Sequence, residues 1–127
     1  MFTPPLGGLE VGVVELYCKI VVGASGAVTS GTGKGITSVT KESSAGQYTI
    51  LLNDAYNSLL WAGVTLLDDD DSAATTVGIG HRLAAESVSS AKTVTVQTYA
   101  LDDGADANPA SGAILYVCIK LRNSSVS

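Results

Sequence analysis

Few residues in this 127-residue chain have the type and spacing to do chemistry. The run Gly31-Thr32-Gly33-Lys34-Gly35 has the glycine and lysine content of a loop that cradles phosphate. Such a loop needs a Ser or Thr after the lysine and a glycine five positions before the second one, and it needs a helix to follow. Here those positions hold Gly35 and Val28, and no helical periodicity follows, so the run reads as a connection between strands. Asp68 to Asp71, and the better-spaced Asp102, Asp103, Asp106 and Asn108, offer the hard oxygen atoms that calcium takes. Neither set has the alternating ligands and distant glutamate of an EF-hand loop, so both read as solvated turns. His81 is the only histidine and has no partner at zinc or triad spacing, which makes it a hydrogen-bonded structural residue. Trp61, Tyr48, Tyr56 and Tyr99 have rings that could stack on sugars, but Trp61 follows Leu59 and Leu60 and reads first as a core or interface anchor. The expectation is therefore a protein with no catalytic residue, no cofactor and no metal.

The segments that position these residues alternate with a period of two. Glu10 to Val22 places Leu16, Cys18, Ile20 and Val22 on one side, with Val13, Tyr17, Lys19 and Val21 on the other. Gly23 to Gly26 turns the chain, and Ala27 to Lys34 is a loop or weak edge strand. The clearest unit is a hairpin from Gly35 to Leu52. If Glu42 pairs with Gln47 across Ser43-Ser44-Ala45-Gly46, then Lys41 faces Tyr48, Val39 faces Ile50 and Thr37 faces Leu52. Gly46 suits the left-handed position that such a loop needs. Asn53 and Asp54 can cap one helical turn through Leu60, followed by a strand from Trp61 to Leu67. Further strands are expected over Thr75 to Ala85, Ala91 to Leu101 and Ala113 to Arg122, the last with Leu115, Val117, Ile119 and Leu121 on one face. Strands so spaced, with Gly, Ser and Asp turns between them, predict an all-β fold, an antiparallel sandwich or jelly-roll-like barrel with at most one helical turn. Residues 1–9, with Pro4-Pro5 and then Gly7-Gly8, predict an extended arm ahead of a single β domain over residues 10–127.

Composition narrows the partners. Charged residues are 15% of the chain, below the ~25% of an ordinary soluble domain, and aromatics are only 6%. A surface so poor in ionic groups is one that other copies or other proteins can cover. The net charge of −5 and the absence of a basic cluster argue against nucleic acid and against an anionic membrane surface. The N-terminus lacks the pattern of a secretory signal, so synthesis in the cytoplasm is expected, and with it a reduced Cys18 and Cys118.

The strings Gly35-Ile-Thr-Ser-Val-Thr-Lys-Glu42, Ala45-Gly-Gln-Tyr-Thr-Ile-Leu-Leu52 and Asn108-Pro-Ala-Ser-Gly-Ala-Ile-Leu-Tyr-Val117 resemble small β-rich structural proteins of tailed bacteriophage virions. The resemblance covers roughly residues 20–125 and consists of turn-and-strand patterns. It implies a capsid decoration (cement) protein, a homotrimer bound to the major capsid protein on the virion surface, or alternatively a tail-fibre or spike-type domain that binds a host glycan. For the decoration role the residues expected to reach a partner are Phe2, Pro4, Pro5, Leu6, Leu9, Val11 and Val13.

Overall fold

A computed structural model of the chain describes residues 12–67, 79–101 and 103–123. These form an antiparallel β-sandwich of eight strands: β1 (Val13–Val22), β2 (Val28–Thr32), β3 (Ile36–Lys41), β4 (Gln47–Leu52), β5 (Ser58–Leu67), β6 (Ile79–Ser87), β7 (Thr93–Ala100) and β8 (Ile114–Arg122). One sheet has the order β2-β1-β8-β5 and the other β3-β4-β7-β6. The alternation expected from sequence is what packs the two sheets together. Leu16, Cys18, Ile20 and Val22 of β1 and Leu115, Val117, Ile119 and Leu121 of β8 point inward. They meet Tyr48, Ile50 and Leu52 of β4 and Val94 and Val96 of β7. Strand β8 is central, paired with β1 on one side and β5 on the other.

The β3–β4 hairpin closes where expected, with the Glu42 N–H donating to the Gln47 carbonyl at 2.8 Å and Gly46 at φ +70°. Lys41 faces Tyr48 and Val39 faces Ile50, but a bulge between Ile36 and Ser38 puts Ile36, not Thr37, opposite Leu52. The extra residue lets Ile36 pack on the core and frees the Thr37 hydroxyl to donate to Asn53 Oδ1 at 2.6 Å.

The helical turn expected from Asn53 to Leu60 does not form. The amides of this stretch find partners far away in sequence: Asn53 N–H on Gly35 O, Tyr56 N–H on Val88 O and Asn57 N–H on Arg122 O, each at 2.9 Å. With those bonds made, and with the Asn53 side chain occupied by Thr37, nothing remains for a local cap to gain. Strand β5 begins at Ser58 instead, three residues earlier than expected. Among the described residues the one helical turn is the 3-10 segment Ala24–Gly26.

The two ends of the sandwich differ. At one pole the chain enters and leaves together, since Asn123 N–H donates to Gly12 O at 2.6 Å. At the other, Asn108 ties three loops to one another. Its Oδ1 accepts from Gly46 N–H at 2.6 Å and its Nδ2 donates to Ser25 O at 3.1 Å. Tyr48 adds a bond from its buried hydroxyl to Gly26 O at 2.7 Å. Gln97 Nε2 donates to Ala45 O at 2.7 Å, and the Thr98 hydroxyl donates to Ala107 O at 2.6 Å. The bonds from Tyr48, Gln97 and Thr98 satisfy loop carbonyls at buried or part-buried positions.

Candidate functional site

The outer faces of the two sheets are chemically unlike. On the β3-β4-β7-β6 sheet, Thr40, Thr49 and Thr95 stand in one row, with the Thr49 and Thr95 hydroxyls 3.2 Å apart and Thr49 donating to Glu42 at 2.9 Å. On the β2-β1-β8-β5 sheet the outward positions are aromatic. Pairing brings Glu15, Lys120 and Trp61 into one row, Tyr17, Cys118 and Gly63 into the next, and Lys19, Tyr116 and Thr65 into a third.

Trp61 reaches this face through a second bulge. Leu59 pairs with Leu121 and Trp61 with Lys120, so Leu60 is the extra residue. Leu59 keeps its inward position on the core, and the bulge turns Trp61 outward, where simple alternation would have sent it in. The indole then lies against Gly63, close enough that a Cβ there would collide with the ring. One side of the indole rests on bare backbone and the residue stays 56% exposed; Tyr17 is 61% and Tyr116 43% exposed. With the β6 residues His81, Arg82 and Leu83 as a wall, these rings line a groove of about 810 Å³.

Charge in and beside the groove is ordered by a few contacts. The Tyr17 hydroxyl donates to Glu15 Oε2 at 2.6 Å, and Lys120 Nζ sits 3.5 Å from Glu15 Oε1. The bond from Tyr17 and the nearby ammonium hold the Glu15 carboxyl below its ordinary range, and the same hydrogen bond pushes the Tyr17 phenol up to about 12. Arg82 faces Asp106 at 3.9 Å, with both side chains about half exposed.

Of the four aromatic residues singled out from the sequence, only Trp61 belongs to the groove. Tyr48 and Tyr56 are buried, and Tyr99 lies over Gly80. Of the two places that Leu59 and Leu60 had implied for Trp61, core or interface, the core is ruled out by its exposure, and the bulge at Leu60 is the reason. Tyr17 and Tyr116 were missed, although their parity with Lys19, Lys120 and Arg122 already marked the outward side of each strand. His81, expected as a hydrogen-bonded structural residue, is exposed on the groove wall. Asp103 accepts from the Ala105 N–H at 2.9 Å and Asp106 faces Arg82, while Asn108 serves the loop clamp. Asp68 to Asp71 and Asp102 lie outside the described residues, as do Phe2, Pro4, Pro5, Leu6, Leu9 and Val11. Val13 opens β1, half-buried and opposite Arg122 at the pole where the chain ends meet.

Cys18 and Cys118 are free thiols on opposite sides of the same sheet, Cys18 inward and Cys118 outward toward Gly63. Burial pushes the Cys18 thiol up to about 11 and the Tyr48 phenol up to about 12. Both groups are neutral in the folded chain and ionise more readily once unfolded, so the unfolded state loses protons first. Their contribution is fully present below pH 9, the ordinary thiol value, and is lost as pH rises through 11 to 12. Urea titrations at pH 8, 10 and 11 should show stability falling by an amount on the order of a few kcal/mol, and a flat profile would contradict the burial of these groups.

Comparison of the chain with protein-family models, with curated proteins and with solved structures gives no match.

Proposed function

We propose that this chain is a structural protein of a tailed-phage virion, a capsid decoration protein that binds the assembled shell as a homotrimer. The observation that carries the reading is that the described body begins and ends at one pole. The Gly12–Asn123 clasp closes that end of a β body whose far loops are cinched by Asn108, and the sequence ahead of Gly12 carries the apolar Phe2, Pro4, Pro5, Leu6 and Leu9. A body that keeps its shape and an apolar segment leaving it at one end suit a protein that is fastened to a larger surface. The low ionic content and the resemblance to small virion proteins support the same role. The groove favours a second reading, a tail-fibre or spike-type domain. Copy number per particle separates the two, because decoration requires many copies over the shell and a fibre requires few at one vertex.

Deleting residues 1–9 tests the assignment. Among the described residues the buried core runs from Leu16 to Leu121, so the melting temperature should stay within a few degrees of the parent. Co-sedimentation with expanded shells of the phage that encodes the protein should fall by about tenfold or more, the loss expected when several apolar anchors go. Undiminished binding by the shortened chain would overturn the role of the arm.

A further inference from the structure

We propose that the groove on the β2-β1-β8-β5 face binds an acidic oligosaccharide, with one sugar ring stacked on Trp61 and a carboxylate of the chain held by Lys19. This site does not depend on where in a virion the protein sits.

Three observations converge on that ligand. The first is the setting of Trp61. Its ring lies against Gly63 while the residue stays 56% exposed, so it offers a seated aromatic surface to the apolar C–H face of a sugar. Tyr17 and Tyr116 continue the aromatic surface on the neighbouring strands. The second is the polar rim. Thr32, Thr65 and His81 border the groove and supply the hydroxyl and imidazole groups that pair with sugar hydroxyls. The third is charge. The protein has 12 acidic and 7 basic residues, yet the described groove lining contains Lys19, His81 and Arg82 and no aspartate or glutamate. Glu15, close by, is taken up by Tyr17 and Lys120. Arg82 shares its charge with Asp106. Lys19 has no ion-pair partner among the described residues. A cationic groove on an acidic protein selects an anionic ligand and turns away neutral ones. A nucleic-acid backbone needs a track of cations that this face does not have.

The spacing sets the ligand's length. Lys19 and Trp61 are two strands apart and four residues out of step, which is roughly 16 Å between backbones. That is more than one sugar ring, so the ligand is an oligomer. The groove volume is in the range of ~300–1,000 Å³ usual for small-molecule sites.

Trp61 is the only tryptophan, so its emission reports from the site itself. The full-length protein is titrated at low salt with oligogalacturonate, oligomannuronate and α2,8-linked oligosialate, with a neutral cello-oligosaccharide as the control. The expected result is a saturable change in emission with at least one acidic probe, and weaker binding as salt is raised. Lys19→Ala should weaken that binding about tenfold by removing the charged partner. Gly63→Ala should do so to a similar extent, because the added Cβ pushes the indole off its seat while the chain keeps its one tryptophan as reporter. Unchanged melting of both variants shows that the site and not the fold was altered. Three results would overturn the proposal: no saturable change with any acidic probe, equal affinity for the neutral control, or affinity unmoved by both variants. Emission that shifts with protein concentration alone would also do so, since the groove would then be occupied by a second copy.

Discussion

Gly46→Ala should destabilise the protein by about 3–5 kcal/mol, read from urea unfolding. Two penalties add at this position. With φ at +70°, an alanine is held in the left-handed region, which costs ~1–2 kcal/mol. Its Cβ would also collide with the Ala107 carbonyl and the Thr98 hydroxyl, neither of which can step aside alone. The Gly46 amide donates to Asn108, its carbonyl accepts from Thr98 N–H at 2.9 Å, and Thr98 is itself bonded to Ala107. Moving any one of these opens the junction of three loops. Asn108→Ala, which leaves Gly46 N–H and Ser25 C=O without their partners, should cost about 1–3 kcal/mol alone. It should cost measurably less in the Gly46→Ala background, because both substitutions undo the same junction. Strictly additive losses, or a change below about 1 kcal/mol for Gly46→Ala, would mean that the loops at this pole move independently.

Ile119→Ala should cost about 3–4 kcal/mol. Ile119 is fully buried at the middle of β8, between Leu16 of β1 and Ala62 of β5. Because Ala62 is short, there is no long side chain on that flank to swing into the space, and the cavity would persist. Cys118, one residue earlier, points to the other side of the sheet, where Gly63 is its neighbour. Cys118→Ala should therefore change stability by no more than about 0.5–1 kcal/mol, the value usual away from the core. The contrast between adjacent residues is the test. A larger loss at Cys118 than at Ile119 would mean that β8 is shifted by one residue from the register described here.

Periodicity made the strands legible. In β1, β4 and β8 the inward and outward residues alternate, and the predicted faces match the buried ones, whereas in β7 Gln97 and Thr98 are buried beside Val94 and Val96. The hairpin could be closed from Gly46 and the flanking polar residues because turn geometry is local. What failed was the placement of extra residues. The bulges at Thr37 and Leu60 insert one residue each, and no propensity distinguishes them from a regular strand. The Leu60 bulge inverts Trp61, and with it the identity of the aromatic face. The expected helical turn after Leu52 lost to hydrogen bonds with Gly35, Val88 and Arg122, partners that sequence reasoning could not have seen nearby. The groove was illegible for the same cause. Positions 17, 61, 81 and 116 come together only once β8 is known to run between β1 and β5.

The clasp between Gly12 and Asn123 has an implication for how the chain can be rewired. Since the described body begins and ends at one spot, its two termini could be sewn into a loop with little slack, and new ends cut elsewhere. Gly104 is a natural place for the cut, being in an exposed turn where an added side chain would meet nothing. Such a circular permutant would keep every strand pairing while presenting its free ends at the opposite tip, so that a fused tag would be carried away from the Gly12–Asn123 pole.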